Sequence, residues 1–137
     1  MLLAIDAGNT NTVFAVFSPD GELKGEWRAS TTGARTSDEY GVWLLRLMEL
    51  ENIQPTDIIA TIIATVVPAA LHSLKVLSQK YFHTEPLVIG DANVKLGVEA
   101  KIDNPQEVGA DRLVNAVAAN AKYGGPLICV DFGTATT

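Results

Sequence analysis

The chain has 137 residues, of which 47% are hydrophobic and 19% charged, with a net charge of −6. That balance gives enough apolar material for a packed core and disfavours nucleic acid as the main partner, because phosphate backbones recruit Lys and Arg. A single cysteine, Cys129, excludes an intrachain disulfide.

In chain order, Leu3 to Asp6 predicts a first strand and Val13 to Phe17 a second. Ser18-Pro19-Asp20-Gly21 is a turn signal, so a third strand is expected as a hairpin from Leu23 to Ala29. Thr36 and Glu39 have capping-box spacing. Behind them Tyr40, Trp43, Leu44, Leu47 and Met48 recur at helical intervals, predicting a helix that ends near Glu51. Ile58 to Ala64 is apolar without alternation and reads as a central strand buried on both faces. Pro68 suits the first turn of the next helix, with Leu71, Leu74, Leu77 and Tyr81 on one face.

Leu87 to Ile89 predicts another short strand. Asn104-Pro105-Gln106-Glu107 reads as a helix start, with Asn as cap and Pro at the first position. Leu113, Val114, Val117, Ala118 and Ala121 give that helix its apolar faces, and Gly124-Gly125 stops it. Leu127 to Val130 predicts a closing strand, in which Cys129 is a small buried residue rather than a reactive thiol. The most apolar stretch, Ile58 to Leu71, is too short to span a bilayer. Met1 leads into a strand without a cationic segment, so no signal peptide is read. A cytoplasmic location and no membrane partner are expected.

The pattern of two hairpins followed by helix–strand–helix–strand is that of a ribonuclease-H-like α/β lobe, with a mixed five-stranded sheet and flanking helices. Residues 1–105 are expected to form this lobe. Residues 106–137 are expected to form an interlobe helix and the first strand and phosphate loop of a second, similar lobe that is truncated.

That division follows from a motif used twice. Leu2-Leu3-Ala4-Ile5 runs into Asp6-Ala7-Gly8-Asn9-Thr10-Asn11-Thr12, and Leu127-Ile128-Cys129-Val130 runs into Asp131-Phe132-Gly133-Thr134-Ala135-Thr136-Thr137. Each copy is an apolar strand, then Asp-x-Gly, then hydroxyl and amide side chains. Gly allows a sharp turn and close approach to a ligand. Loop N–H groups with Thr and Asn side chains hold phosphate oxygens. Neither copy is a Walker A or G-x-G-x-x-G loop. A carboxylate at a strand end holds Mg²⁺ directly or through water. A single copy reads first as an ordinary turn; the repeat reverses that and favours two loops gripping one nucleotide.

Gly109-Ala110-Asp111-Arg112 is the second constellation. Asp111 at a helix start reads as a cap or dipole partner, and Arg112 as a surface ion-pair partner. The functional alternative is a proton acceptor beside an anion-binding Arg. His72 and His83 are not read as a metal pair.

Taken in order, Asp6-Ala7-Gly8-Asn9-Thr10, Thr36-Ser37-Asp38-Glu39, Val66-Val67-Pro68, Asn104-Pro105, Val108-Gly109-Ala110-Asp111-Arg112 and Asp131-Phe132-Gly133-Thr134-Ala135-Thr136 resemble the type III pantothenate kinase family. That family belongs to the acetate and sugar kinase, heat-shock and actin superfamily, and the match covers only its members' N-terminal half. The resemblance implies ATP-dependent phosphorylation of pantothenate, the first step of coenzyme A synthesis, in a dimeric enzyme. It implies ATP contacts from Asp6, Ala7, Gly8, Asn9, Thr10, Asn11, Thr12, Val13 and Thr134. It implies pantothenate binding by Gly109, Ala110, Asp111 and Arg112, with Asp111 as proton acceptor. Asp131 would hold a monovalent cation, potassium or ammonium, and Asp6 the Mg²⁺ that accompanies ATP. Ile102 stands where many members carry a substrate-contacting Tyr. The 137 residues alone are expected to be inactive, since one lobe cannot close on ATP. The competing reading is a non-catalytic scaffold or accessory protein of the same superfamily.

Overall fold

A computed structural model describes residues 1–105 and 108–132. Strands β1 (Leu2–Ala7), β2 (Asn11–Phe17) and β3 (Leu23–Ser30) lead into helix α1 (Ser37–Leu50). A 3₁₀ turn (Pro55–Asp57), β4 (Ala60–Thr65), α2 (Pro68–Phe82), β5 (Leu87–Val88) and α3 (Ala110–Tyr123) follow. The sheet order is β3-β2-β1-β4-β5. β1 pairs antiparallel with β2, which pairs antiparallel with β3; β4 runs parallel to β1, and β5 parallel to β4. This is the mixed five-stranded α/β sheet that the order of elements predicted.

Side-chain alternation divides β1 between two faces. Leu3, Ile5 and Ala7 are buried against Phe14 and Val16 of β2, Tyr40, Leu44 and Met48 of α1, and Leu74 and Leu77 of α2. Ala4 and Asp6 point to the other face, where α3 lies. There Ala64, Ile89 and Ala110 form a second, smaller cluster, flanked by Ile62, Leu113 and Val114.

Local signals account for most element ends. The β2–β3 hairpin closes where the Gly21 N–H donates to Ser18 O at 2.9 Å, with Gly21 at φ +85°, a conformation glycine tolerates freely. The capping box at α1 forms: Glu39 N–H donates to Thr36 Oγ1 at 3.3 Å, and Thr36 N–H donates to Glu39 Oε2 at 2.8 Å. Pro68 occupies the first turn of α2. His72 lies on α2, whereas His83 caps it in the left-handed region at φ 54°.

Four expectations need correction. β4 begins at Ala60, because the 3₁₀ turn closes through Ile58 N–H and leaves Ile59 76% exposed. The last helix begins at Ala110 with Gly109 as its cap; before it, the Val108 N–H closes a turn onto Pro105 O. The start expected at Asn104-Pro105-Gln106-Glu107 is therefore too early, and residues 106–107 lie outside the described residues. Ala118 and Ala121 of α3 are exposed, because only its first half rests on β4 and β5. Leu127 to Val130 forms no strand; Ile128 is 91% exposed and Cys129 is exposed rather than buried. No helix of the described residues is long and apolar enough to cross a membrane.

Candidate active site

The parallel strands β1 and β4 end side by side, with Ala7 opposite Thr65. Loops leaving the carboxyl ends of parallel strands are where α/β sheets bind ligands. Here the β1–β2 loop is tightly held. The Ala7–Gly8 peptide is fixed at both ends: its N–H donates to Asn11 O at 3.0 Å, and its carbonyl accepts the Val66 N–H at 3.1 Å and the Thr65 hydroxyl at 3.2 Å. The Gly8 N–H, expected among the phosphate donors, is thus spent on closing the turn. Thr12 is fully buried, and its hydroxyl pairs with Thr31 Oγ1 at 2.8 Å. It braces the loop from beneath. Asn9, Thr10 and Asn11 stand on the exposed side, and Val13 is half-buried. The Thr31 N–H donates to Thr10 O at 2.9 Å, tying the loop to the end of β3.

Asp6 still reaches solvent. Partial burial, then the negative charges of Asp111 and Asp131, push its carboxyl above the ordinary value near 3.8. Three acids from the end of β1, the start of α3 and the closing segment therefore share one neighbourhood. Among the described residues, no three His, Cys, Asp or Glu side chains close into a metal-holding group. Asp6 itself lines a largely apolar hollow of about 270 Å³ with Val13, Ala64, Ile89 and Val114.

Gly109 and Asp111 are in close contact. A Cβ at Gly109 would collide with Asp111 Oδ1 and come to 3.4 Å from Val66 Cγ1. Asp111 Oδ1 also accepts the Arg112 N–H at 2.8 Å. Arg112 is exposed. A cleft of about 450 Å³ opens here. Thr65, Val66, Pro68 and Leu71 line one side, Gly109, Ala110 and Leu113 the other, and Ile89 to Asp91 the floor. Asp131 lines a separate hollow of about 380 Å³ with Asn115, Lys122 and Cys129. Thr134 lies outside the described residues.

A sequence model of the type III pantothenate kinases matches residues 2–137. The chain belongs to the type III pantothenate kinase family. Curated type III pantothenate kinases of Rhodospirillum rubrum and Paramagnetospirillum magneticum are each 61% identical to it over 137 residues. That of Rhodospirillum centenum is 56% identical over 138 residues. Each alignment covers all of this chain but 53%, 52% and 52% of the respective relative, so the chain spans about half their length.

Thr65, which motif reading passed over in this type III pantothenate kinase chain, is the side chain that ties the β1 loop to the segment after β4. Its signal was available: a hydroxyl residue ends the apolar run of β4 just before Val66-Val67-Pro68, as Asp6 ends that of β1.

Proposed function

We propose that this chain supplies the nucleotide loop and the substrate-binding segment of a kinase that transfers the γ-phosphoryl group of ATP to the primary hydroxyl of pantothenate. Residues 1–105 form its first lobe, and residues 106–137 open a second. One observation carries the reading: Asp6, Asp111 and Asp131 come from distant segments, yet Asp6 feels the negative charge of both of the others and lines a hollow together with Val114 of α3. Membership of the family supports the substrate.

Phosphoryl transfer needs little covalent chemistry from the protein; positioning and charge stabilisation dominate. In this reading the loop Asp6–Val13 places the phosphates, with the exposed Asn9, Thr10 and Asn11 side chains as contacts, and Thr134 adds a contact from the second loop. Gly109, Ala110 and Arg112 hold pantothenate in the cleft, and Arg112 pairs with its carboxylate. The Asp111 carboxylate accepts the proton of the attacking hydroxyl; its oxygen then bonds to the γ-phosphorus as the bond to ADP breaks. The hard oxygens of Asp6 suit Mg²⁺, which uses few protein ligands and completes its shell with phosphates and water. Bound there, it would neutralise phosphate charge. Asp131 suits potassium or ammonium on the same chemical grounds. The assembly is a cytoplasmic homodimer.

The test is Asp111→Asn in the protein that carries this sequence, with ATP-dependent phosphorylation of pantothenate as the readout. Loss of a positioned base lowers turnover by roughly 10²-fold or more. Unchanged turnover would remove Asp111 from this role, and absence of pantothenate phosphorylation by the unsubstituted protein would remove the function itself.

A further inference from the structure

Thr65 ends β4 opposite Ala7 at the end of β1. Its hydroxyl meets three backbone groups. The proton faces the Ala7 carbonyl at 3.2 Å and the Val67 carbonyl at 3.3 Å, and the oxygen accepts the Val67 N–H at 2.9 Å. The Ala7 carbonyl belongs to the peptide at the pivot of the Asp6-Ala7-Gly8 turn, whose N–H is held by Asn11 O. The Val66–Pro68 segment that Thr65 also grips forms a wall of the 450 Å³ cleft, facing Gly109 and Ala110. Val66 Cγ1 stands 3.4 Å from the position a Gly109 side chain would take. A single side chain thus touches the loop on the nucleotide side and the wall on the substrate side.

The arrangement requires both features of threonine. Its β-branched shape suits a strand end, and its hydroxyl acts as donor and acceptor at once. Val keeps the shape and loses both bonds; Ser keeps the bonds and loses a methyl.

We propose that Thr65 is a positioning residue that couples the two sites, so that ordering of the Asp6–Val13 loop sets the Val66–Pro68 wall, and the reverse. This rests on the reading of that loop as the nucleotide site and of the cleft as the pantothenate site. Coupling between binding sites is reciprocal, so each ligand tightens the other by the same factor. Thr65 is not a reacting group. Its loss disturbs alignment, where small displacements cost turnover steeply.

The experiment compares Thr65→Val and Thr65→Ser with the unsubstituted protein. ADP affinity is measured by calorimetry with and without saturating pantothenate, alongside kcat, KM for each substrate and melting temperature. The unsubstituted protein is expected to bind ADP more tightly when pantothenate is present. In Thr65→Val that factor falls to near one, and kcat/KM drops about three- to tenfold, the weight of one net hydrogen bond. Thr65→Ser restores both to within about threefold.

Retained coupling in Thr65→Val overturns the proposal, as does a Ser variant as impaired as the Val variant. A lowered melting temperature with unchanged kinetics also overturns it, by reducing Thr65 to a structural role. If the unsubstituted protein binds ADP without phosphorylating pantothenate, the kinase reading fails separately. The brace is then judged on ADP affinity alone, expected about threefold or more weaker in Thr65→Val, and unchanged affinity sinks it.

Discussion

Gly109 leaves the space that the Asp111 carboxylate fills: any β-carbon at position 109 would run into Asp111 Oδ1. Gly109 sits at φ −59°, ψ 146°, a conformation open to every residue. The requirement is therefore for room, not for backbone freedom.

Gly109→Ala is accordingly expected to swing the Asp111 carboxylate away from its place while leaving the backbone intact. If Asp111 accepts the substrate proton, turnover falls by about tenfold or more, with little change in melting temperature. Steady-state kinetics and thermal unfolding of the same preparation check this. A fully active Gly109→Ala enzyme would mean that the carboxylate has another productive position.

Asp6 carries a pH signature. Its folded-state value is raised by burial and by repulsion from Asp111 and Asp131. A raised value means that the folded protein binds the proton more readily than the unfolded chain. The associated stability is present below the ordinary value near 3.8 and is lost as pH rises through the raised one. Asp6→Asn removes that loss. Its melting temperature should exceed that of the unsubstituted protein at pH 7, and the gap should close as pH falls towards the ordinary Asp range. A gap that is constant across pH would rule out this electrostatic cause.

The α1–α2 contact gives a sign reversal. A Cβ at Gly41, inside α1, would lie 2.6 Å from the Tyr81 ring of α2. That ring is held in place, because its hydroxyl donates to Asp38 at 2.8 Å, beside Lys80 Nζ at 2.7 Å. Gly41→Ala should therefore destabilise, although Ala favours a helix interior over Gly by about 1 kcal/mol. In a Tyr81→Ala background the obstruction is gone, and the same change should stabilise by up to about 1 kcal/mol. Urea unfolding of the four proteins in the cycle decides it.

Tyr40 offers a fourth case. It is fully buried against Phe14, with ring centroids 5.5 Å apart, and its hydroxyl finds no hydrogen-bond partner among the described residues. A buried unsatisfied hydroxyl costs about 1–3 kcal/mol. Tyr40→Phe should be neutral or stabilising by up to that amount, read from the urea midpoint at unchanged slope. Clear destabilisation would show that the hydroxyl is satisfied in solution.

Much of this architecture was legible from periodicity. The alternation of Leu3, Ile5 and Ala7, the Thr36–Glu39 cap and Pro68 each act within a few residues, so local physics placed β1, α1 and α2 correctly. Ile128 and Cys129 were misread because an apolar run becomes a buried strand only where a neighbouring strand exists, and that is a property of distant chain. The start of α3 slipped because Asn104-Pro105 closes a turn as readily as it opens a helix. The candidate site was chosen by residue type: Asp6, Asp111 and Asp131 stood out by their motifs, and the fold sets Asp6 near the other two. What the motifs concealed was occupancy, namely that Thr12 and the Gly8 N–H are already committed within the fold and that Thr65 grips both loops.

The pairing of β1 carries one last consequence. Asp6 stands opposite Val13 on one side and Ala64 on the other, while Leu3 and Ile5 anchor the same strand beneath the helices. A shift of one residue would exchange the faces, drawing the acid under α1 and α2 and expelling the aliphatic anchors. The grease that secures this strand therefore also aims its charge. Changes at Leu3 or Ile5 made only for a sturdier interior would therefore also re-aim Asp6.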